Sequence, residues 1–202
     1  MRLPDKPITA RPAPIWVNLL KTLIQVAFMW GSFLWLFPTL IVLVESRLGI
    51  PGFVPQTVIG WTLFGSASAV GLPCGVLFAV LGDGTPLPLD TANNLVIRGP
   101  YRFIRNPMAT AGIVQGLAVG LILGSWSVIA FSMAGGLVWH CLARPWEEAD
   151  LVVRFGSEYE AYRRAVPLWR PRLTPYFGSA GEPIPDTVDP PLRATQDDGT
   201  RS

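Results

Sequence analysis

The most constraining feature of this sequence is an apolar stretch from Ile15 to Val44, which is longer than the roughly 20 residues that a helix needs to cross a bilayer. Three more apolar stretches follow, and half of all residues are apolar whereas only 15% are charged, an unusual balance for a soluble domain. The sequence therefore predicts an all-α, polytopic membrane protein with about four transmembrane helices. Pro38 predicts a kink in the first helix. The later stretches are Val58–Leu81, Pro107–Leu123 and Trp126–Leu142.

The third apolar stretch carries glycines at every fourth position, which places them on one slowly turning face of a helix. In a membrane, such a row lets the backbone of another helix approach closely. We therefore predict helix packing along this row, with an opening for a ligand as the alternative. The glycines are Gly112, Gly116, Gly120 and Gly124.

Composition divides the chain into four parts. A basic, proline-rich tail precedes two transmembrane helices. The core that follows begins with a polar loop and ends in an amphipathic helical segment. The last part is rich in Pro, Asp, Gly and Thr, which predicts disorder. The boundaries are 1–14 for the tail, 15–81 for helices one and two, 82–172 for the core and 173–202 for the disordered tail.

Basic residues indicate the orientation in the membrane. They gather in the N-terminal tail, in the loop of residues 82–105 and after Arg144, whereas the turn at Gly124 carries no charge. Cytoplasmic loops of membrane proteins are enriched in Lys and Arg. We therefore expect an integral protein of the inner or plasma membrane with both termini in the cytoplasm.

The remaining composition argues against several functions. The net charge of +2 is too small, and too divided between the two signs, to indicate nucleic acid as a partner. Cys74 and Cys141 lie in apolar stretches without metal-ligand spacing, so we expect reduced packing residues and no metal site.

The loop before the third apolar stretch carries the most chemistry. It contains Arg98, Arg102 and Arg105 and ends at Asn106-Pro107. This pair predicts a helix start, because Asn caps free N–H groups and Pro suits the first helical position. A positive helix end beside arginines can hold an anion at the membrane surface. Anchoring to lipid phosphates is the alternative role of these arginines.

Two motifs follow one another across the hairpin of helices three and four. They are Gly99-Pro-Tyr-Arg-Phe-Ile-Arg-Asn-Pro-Met108 and Glu147-Glu148-x-x-Leu151-x-x-x-Phe155-Gly156-x-x-Tyr159-x-x-Tyr162-x-x-x-Val166-Pro-x-Trp-x-Pro171. In this order they resemble the isoprenylcysteine carboxyl methyltransferase and phospholipid methyltransferase superfamily, over about residues 82–172. The resemblance implies an integral-membrane enzyme that uses S-adenosylmethionine, bound between the arginine loop and the Glu-Glu helix. The acceptor it implies is lipid-soluble: a prenyl-type carboxylate, a thiol or a lipid amine.

The resemblance also implies site residues. Arg105 would hold a carboxylate of the cofactor or acceptor, and Glu147 or Glu148 would bind the cofactor's ammonium or ribose hydroxyls or take a proton from an amine acceptor. Each of these residues also has an alternative role outside catalysis. The two glutamates would favour a helix N-terminus, Tyr101 would belong to an interfacial aromatic belt, and His140 would be a packing residue. The expected cofactor contacts are Tyr101, Arg105, Asn106, Pro107, Met108, Glu147 and Glu148, and the expected catalytic residues are Arg105, Glu148 and His140.

Two positions depart from the common motif. Family members commonly have Arg-His-Pro followed one residue later by Tyr, whereas this chain has Asn106 and Ala109 there. Asn106 can donate and accept hydrogen bonds but cannot act as a base. The missing Tyr removes one contact to the cofactor or the acceptor, which leaves the acceptor class open.

Two other functions remain open at this point. One is a membrane reductase with a reduced nicotinamide cofactor, because sterol reductases resemble this superfamily in their C-terminal halves. The other is a non-enzymatic four-helix transporter or scaffold. Transporters place ionisable residues well inside the bilayer, whereas here only Lys21 lies near a span, which disfavours transport.

Overall fold

The computed structural model describes residues 13–85 and 92–178, and regular secondary structure in these ranges is helical. The described residues form six α-helices, two π-helical segments and one turn of 3₁₀-helix at Gly99–Arg102. The α-helices are α1 (Ile15–Met29), α2 (Phe37–Leu48), α3 (Thr57–Leu81), α4 (Pro107–Leu123), α5 (Trp126–Val138) and α6 (Arg144–Ala165).

Within the described ranges, three helices are long and apolar enough to cross a membrane, namely Ile15–Leu48, Thr57–Leu81 and Trp126–Ala165. The fourth apolar helix, α4, is shorter, with 17 residues. The predicted all-α, polytopic membrane fold is therefore confirmed. From Trp126 to the non-helical Gly156, the helix Trp126–Ala165 is about 45 Å long at about 1.5 Å per residue, which exceeds the roughly 30 Å of the hydrocarbon core. Its charged half, α6, consequently extends outside the apolar layer.

Two of the long helices, Ile15–Leu48 and Trp126–Ala165, each contain a π-helical segment just before a proline. The segment Trp30–Leu36 ends two residues before Pro38, and the segment Trp139–Ala143 ends two residues before Pro145. Proline lacks the N–H that an α-helix needs, and a local π-type register is one way to accommodate that loss. α5 and α6 thus form one helix up to a break at Gly156, whose φ of 50° and ψ of −128° are not helical. The predicted amphipathic segment is helical, but it begins without a break after helix four.

The glycine row of α4 packs closely against other helices, as predicted, but only over part of its length. A side chain at Gly116 would come within 2.5 Å of Ser132 Oγ, and one at Gly120 within 2.6 Å of Ile129 Cγ1, both on α5. At Gly112, by contrast, a Cβ atom would meet no described residue within 4 Å, and this glycine lines a cavity. Gly116 and Gly120 therefore pack against α5, whereas Gly112 borders open space.

The chain after α6 returns to the arginine loop and fixes its backbone. The amide of Arg105 donates to the Pro167 carbonyl (3.1 Å), and the amide of Tyr176 donates to the Arg102 carbonyl (3.0 Å). The Arg102 guanidinium also lies over the ring of Phe177 (4.7 Å). The part of the predicted disordered tail up to residue 178 therefore packs on the core. Residues 1–12 and 179–202, which contain most of both predicted tails, lie outside the described residues.

Candidate active site

A cavity of about 750 Å³ lies between the helices and reaches the arginine loop. This volume is within the range of small-molecule sites. One part of its wall is charged and comes from the loop and α6, with Arg105, Glu147 and Glu148. Another part is apolar and includes Phe33 and Phe131. The cavity thus joins a polar region outside the apolar layer to a region between the membrane helices.

Arg105, Glu148 and Arg144 form a three-membered ion cluster in this wall. Glu148 accepts from Arg105 Nη1 at 2.7 Å and from Arg144 Nη1 at 3.2 Å. The side chains of Arg105 and Glu148 are each only 12% exposed, and the Arg105 Nε is buried without a partner. Glu148 is therefore doubly paired, while the Arg105 Nε has no partner among the described residues.

Glu147 is the adjacent carboxyl, and its surroundings differ from those of Glu148. It lines the cavity, and within the described part of the chain its side chain makes no ion pair. Burial, followed by the neighbouring charge of Glu148, raises the pKa of Glu147 from 4.5 to about 7. One carboxyl is thus paired with two arginines, and the other is poised to exchange a proton near neutral pH.

A second ion pair in the cavity wall was not predicted from the sequence. Arg154 Nη1 donates to Asp150 Oδ2 (3.2 Å), and Arg154 Nη2 donates to the Ala92 carbonyl, which ties the loop to α6. Asp150 Oδ1 is buried without a partner. The available sequence signal was the spacing of Glu147, Asp150 and Arg154, which are three and four residues apart and so share one face of α6.

The arginine-loop residues are brought to the same cavity. Tyr101, Asn106 and Met108 line it, and Pro107 is buried at the start of α4. Burial raises the pKa of Tyr101 well above its usual range, and the Tyr101 carbonyl accepts from the Tyr162 hydroxyl at 2.7 Å. Tyr101 is thus a buried, neutral wall residue.

The predicted cap at Asn106 is wrong in one respect. Asn106 occupies the N-cap position of α4, but its side chain makes no capping hydrogen bond. Its carbonyl accepts from the amide and the hydroxyl of Thr110 instead, and its side chain forms part of the cavity wall. The backbone start of α4 follows from Pro107 at the first turn, which needs no amide partner.

His140 lies apart from the other expected catalytic residues. It is absent from the cavity wall, and its Nδ1 accepts from Trp169 Nε1 at 3.3 Å. The two rings are also in contact, with centroids 5.7 Å apart. This is the packing alternative that the sequence left open. Among the described residues, no group of three His, Cys, Asp or Glu side chains could hold a metal ion.

Comparisons with known proteins agree with this arrangement. The chain is 34% identical over 80 residues to methanethiol S-methyltransferase 2 of Bradyrhizobium diazoefficiens. That alignment covers 36% of this chain and 27% of the relative, so it spans about a quarter of the relative's length. The sequence model of the family described as phospholipid methyltransferase matches residues 44–158, more than half of the chain and both sides of the cavity's charged wall. The resemblance predicted from the two motifs is confirmed, and the chain belongs to the phospholipid methyltransferase family.

Proposed function

We propose that the protein transfers a methyl group from S-adenosylmethionine to a lipophilic acceptor in the cavity described above. The observation that carries this proposal is the cavity's composition: an arginine, one carboxyl paired with two arginines, a second carboxyl without an ion pair among the described residues and an apolar region line one cavity. Membership of the family and the similarity to a relative named as an S-methyltransferase support it.

The charged wall fits the polar groups of this cofactor. The unpartnered Nε of Arg105 suits the carboxylate of an amino acid moiety. The carboxyl of Glu147 and the unpartnered Oδ1 of Asp150 suit an ammonium group or ribose hydroxyls. These residues would hold the cofactor, with Tyr101 and Met108 as wall contacts.

S-adenosylmethionine, when bound, supplies an already activated methyl group, so the protein's tasks are alignment and exclusion of water. The ion cluster of Glu148 fixes Arg105 before any ligand binds, and the apolar helices shield the reacting atoms. Glu147 would take the proton that a thiol or amine acceptor loses on methylation, and S-adenosylhomocysteine would be the other product. The proton then passes to water. No base is needed for a carboxylate acceptor, and an ionised Glu147 would repel it.

We further propose that this charged wall faces the cytoplasm, with both chain termini on the same side. The support is the distribution of Arg and Lys along the chain, which places the arginine loop and α6 on the basic side. The acceptor would then reach the apolar part of the cavity from the membrane.

The test is methyl transfer from tritium-labelled S-adenosylmethionine by the detergent-purified protein. The probes are nonanethiol, nonylamine and nonanoate, with the extracted product counted. We expect transfer to the thiol or the amine and at least about a hundredfold loss in Arg105→Ala, because the proposed charged contact to the cofactor and the ion pair with Glu148 are both removed. Arg164→Gln removes an exposed charge from the same helix as the two glutamates and should leave the rate unchanged. Transfer that is unaffected by Arg105→Ala would contradict the site, and transfer to nonanoate alone would contradict the role of Glu147.

A further inference from the structure

Helix α1 contributes a polar group to the cavity from outside the family-matched region. Gln25 lines the cavity, and its Nε2 donates to Thr85 Oγ1 at 3.0 Å. Its Oε1 is buried without a hydrogen-bond partner. A buried amide oxygen without a partner costs stability, so its presence in a cavity wall calls for a ligand that donates a hydrogen bond.

The amide of Gln25 is tied to the segment that follows α3. Thr85 is 1% exposed and lines the same cavity. Two residues earlier, Asp83 accepts from Asn18 Nδ2 of α1 (3.2 Å) and from Asn93 Nδ2 (3.1 Å to its Oδ2). Thr85 takes one N–H of the amide and thereby fixes its plane, and the buried oxygen is the acceptor that Gln25 offers to a ligand. Such fixed orientation is typical of a binding group rather than of a mobile surface amide.

The position of Gln25 favours the acceptor over the cofactor as the donor of this hydrogen bond. The other residues that α1 and its π segment give to the cavity are apolar and follow Gln25 along the helix, among them Val26, Met29 and Phe33. The charged wall comes instead from the loop and α6. Gln25 therefore lies where the apolar wall begins, which suits a lipophilic molecule with a polar group near its reacting end.

A second amide in the cavity wall joins two helices. Gln115 of α4 is 4% exposed and donates from Nε2 to Ser68 Oγ of α3 at 2.9 Å. That bond joins two helices that pack along most of their length, so helix association accounts for it. Gln25 has its unpaired oxygen in addition to its tether.

We propose that Gln25 binds an O–H or N–H group of the methyl acceptor, so that the acceptor is an amphiphile with a hydrogen-bond donor near its reacting atom. This inference rests on the proposed function and adds a specificity residue on α1. A site built to accept a hydrogen bond discriminates against an analogue that lacks the donor.

The test is calorimetric binding of matched thiols to the complete protein saturated with S-adenosylhomocysteine. The probes are decanethiol and decanethiols with a hydroxyl on the second, fourth or sixth carbon. At one hydroxyl position we expect about tenfold tighter binding than for decanethiol, an advantage that Gln25→Leu removes. Gln56→Leu makes the same chemical change at an exposed glutamine of the opposite loop, and the advantage should persist there.

Three results would overturn the proposal: no hydroxyl position that improves binding, an advantage that persists in Gln25→Leu, or a Gln25→Leu variant whose affinity for S-adenosylhomocysteine falls tenfold. The last would assign the amide to the cofactor. If Gln25→Leu does not fold, Gln25→Asn keeps the amide but shortens its reach, and it should lose the same advantage. Failure of the wild-type protein to bind S-adenosylhomocysteine would instead contradict the proposed function.

Discussion

The adjacent carboxyls Glu147 and Glu148 should affect stability in opposite directions. Glu148 accepts from two arginines and is 12% exposed, so Glu148→Gln leaves guanidinium groups with a weaker partner. Hydrogen bonds to charged groups contribute about 1.5–3 kcal/mol each, and breaking a buried pair costs up to about 5 kcal/mol. We therefore expect Glu148→Gln to lower the free energy of unfolding by about 3 kcal/mol at neutral pH.

Glu147→Gln should raise the free energy of unfolding above neutral pH. The folded-state pKa of Glu147 is raised from 4.5 to about 7, so ionising it at about pH 8 costs the folded protein about 3 kcal/mol at most. This cost is absent below pH 4.5, grows as the pH rises to about 7 and is constant above. Because glutamine does not ionise, the stabilisation by Glu147→Gln should follow the same pH dependence.

The assay is unfolding in mixed micelles of sodium dodecyl sulfate and a mild detergent, followed by circular dichroism at several pH values. Glu160→Gln removes an exposed carboxylate from the same helix and should change stability by less than about 0.5 kcal/mol. Equal destabilisation by Glu147→Gln and Glu148→Gln at about pH 8 would refute the assignment of separate roles to the two carboxyls.

Three further predictions concern packing, the loop and the proton. Gly120→Ala should destabilise the protein by about 1–3 kcal/mol through overpacking, whereas Gly112→Ala should not destabilise it, because open space surrounds Gly112. Thermal unfolding of both variants checks this. Arg154→Ala should increase hydrogen exchange around residue 92 by about tenfold or more, since the Ala92 carbonyl loses its donor; unchanged exchange there would show that the pair does not hold the loop. For a thiol acceptor, kcat/KM should rise with pH and show an inflection near 7, and Glu147→Gln should lack that inflection.

The length and hydrophobicity of the apolar stretches were enough to predict the helices, because a bilayer leaves few alternatives for such segments. The connections between successive helices could not be predicted in the same way. Pro38 indicated a kink, but the π segment before it and the matching segment before Pro145 depend on how the surrounding helices pack. For the same reason, α6 was expected as a separate segment, although it continues from α5.

The site was predictable where motif and chemistry coincide. Arg105 and Glu148, separated by 43 positions in sequence, do form an ion pair. The contacts that sequence reasoning missed join segments with no motif in common: Arg154 with the Ala92 carbonyl, and Gln25 with Thr85. These contacts depend on where the loop lies relative to α1 and α6. That position cannot be predicted from the composition of the segments.

The most direct test of the proposed site is calorimetric binding of S-adenosylmethionine and S-adenosylhomocysteine to the purified protein, with a reduced nicotinamide dinucleotide as the control. We predict saturable binding of the methyl donor and its product, no binding of the nicotinamide, and loss of binding in Arg105→Ala with the protein still folded. Binding of the nicotinamide alone, or of neither donor nor product to folded protein, would contradict the assignment of this cavity to methyl transfer.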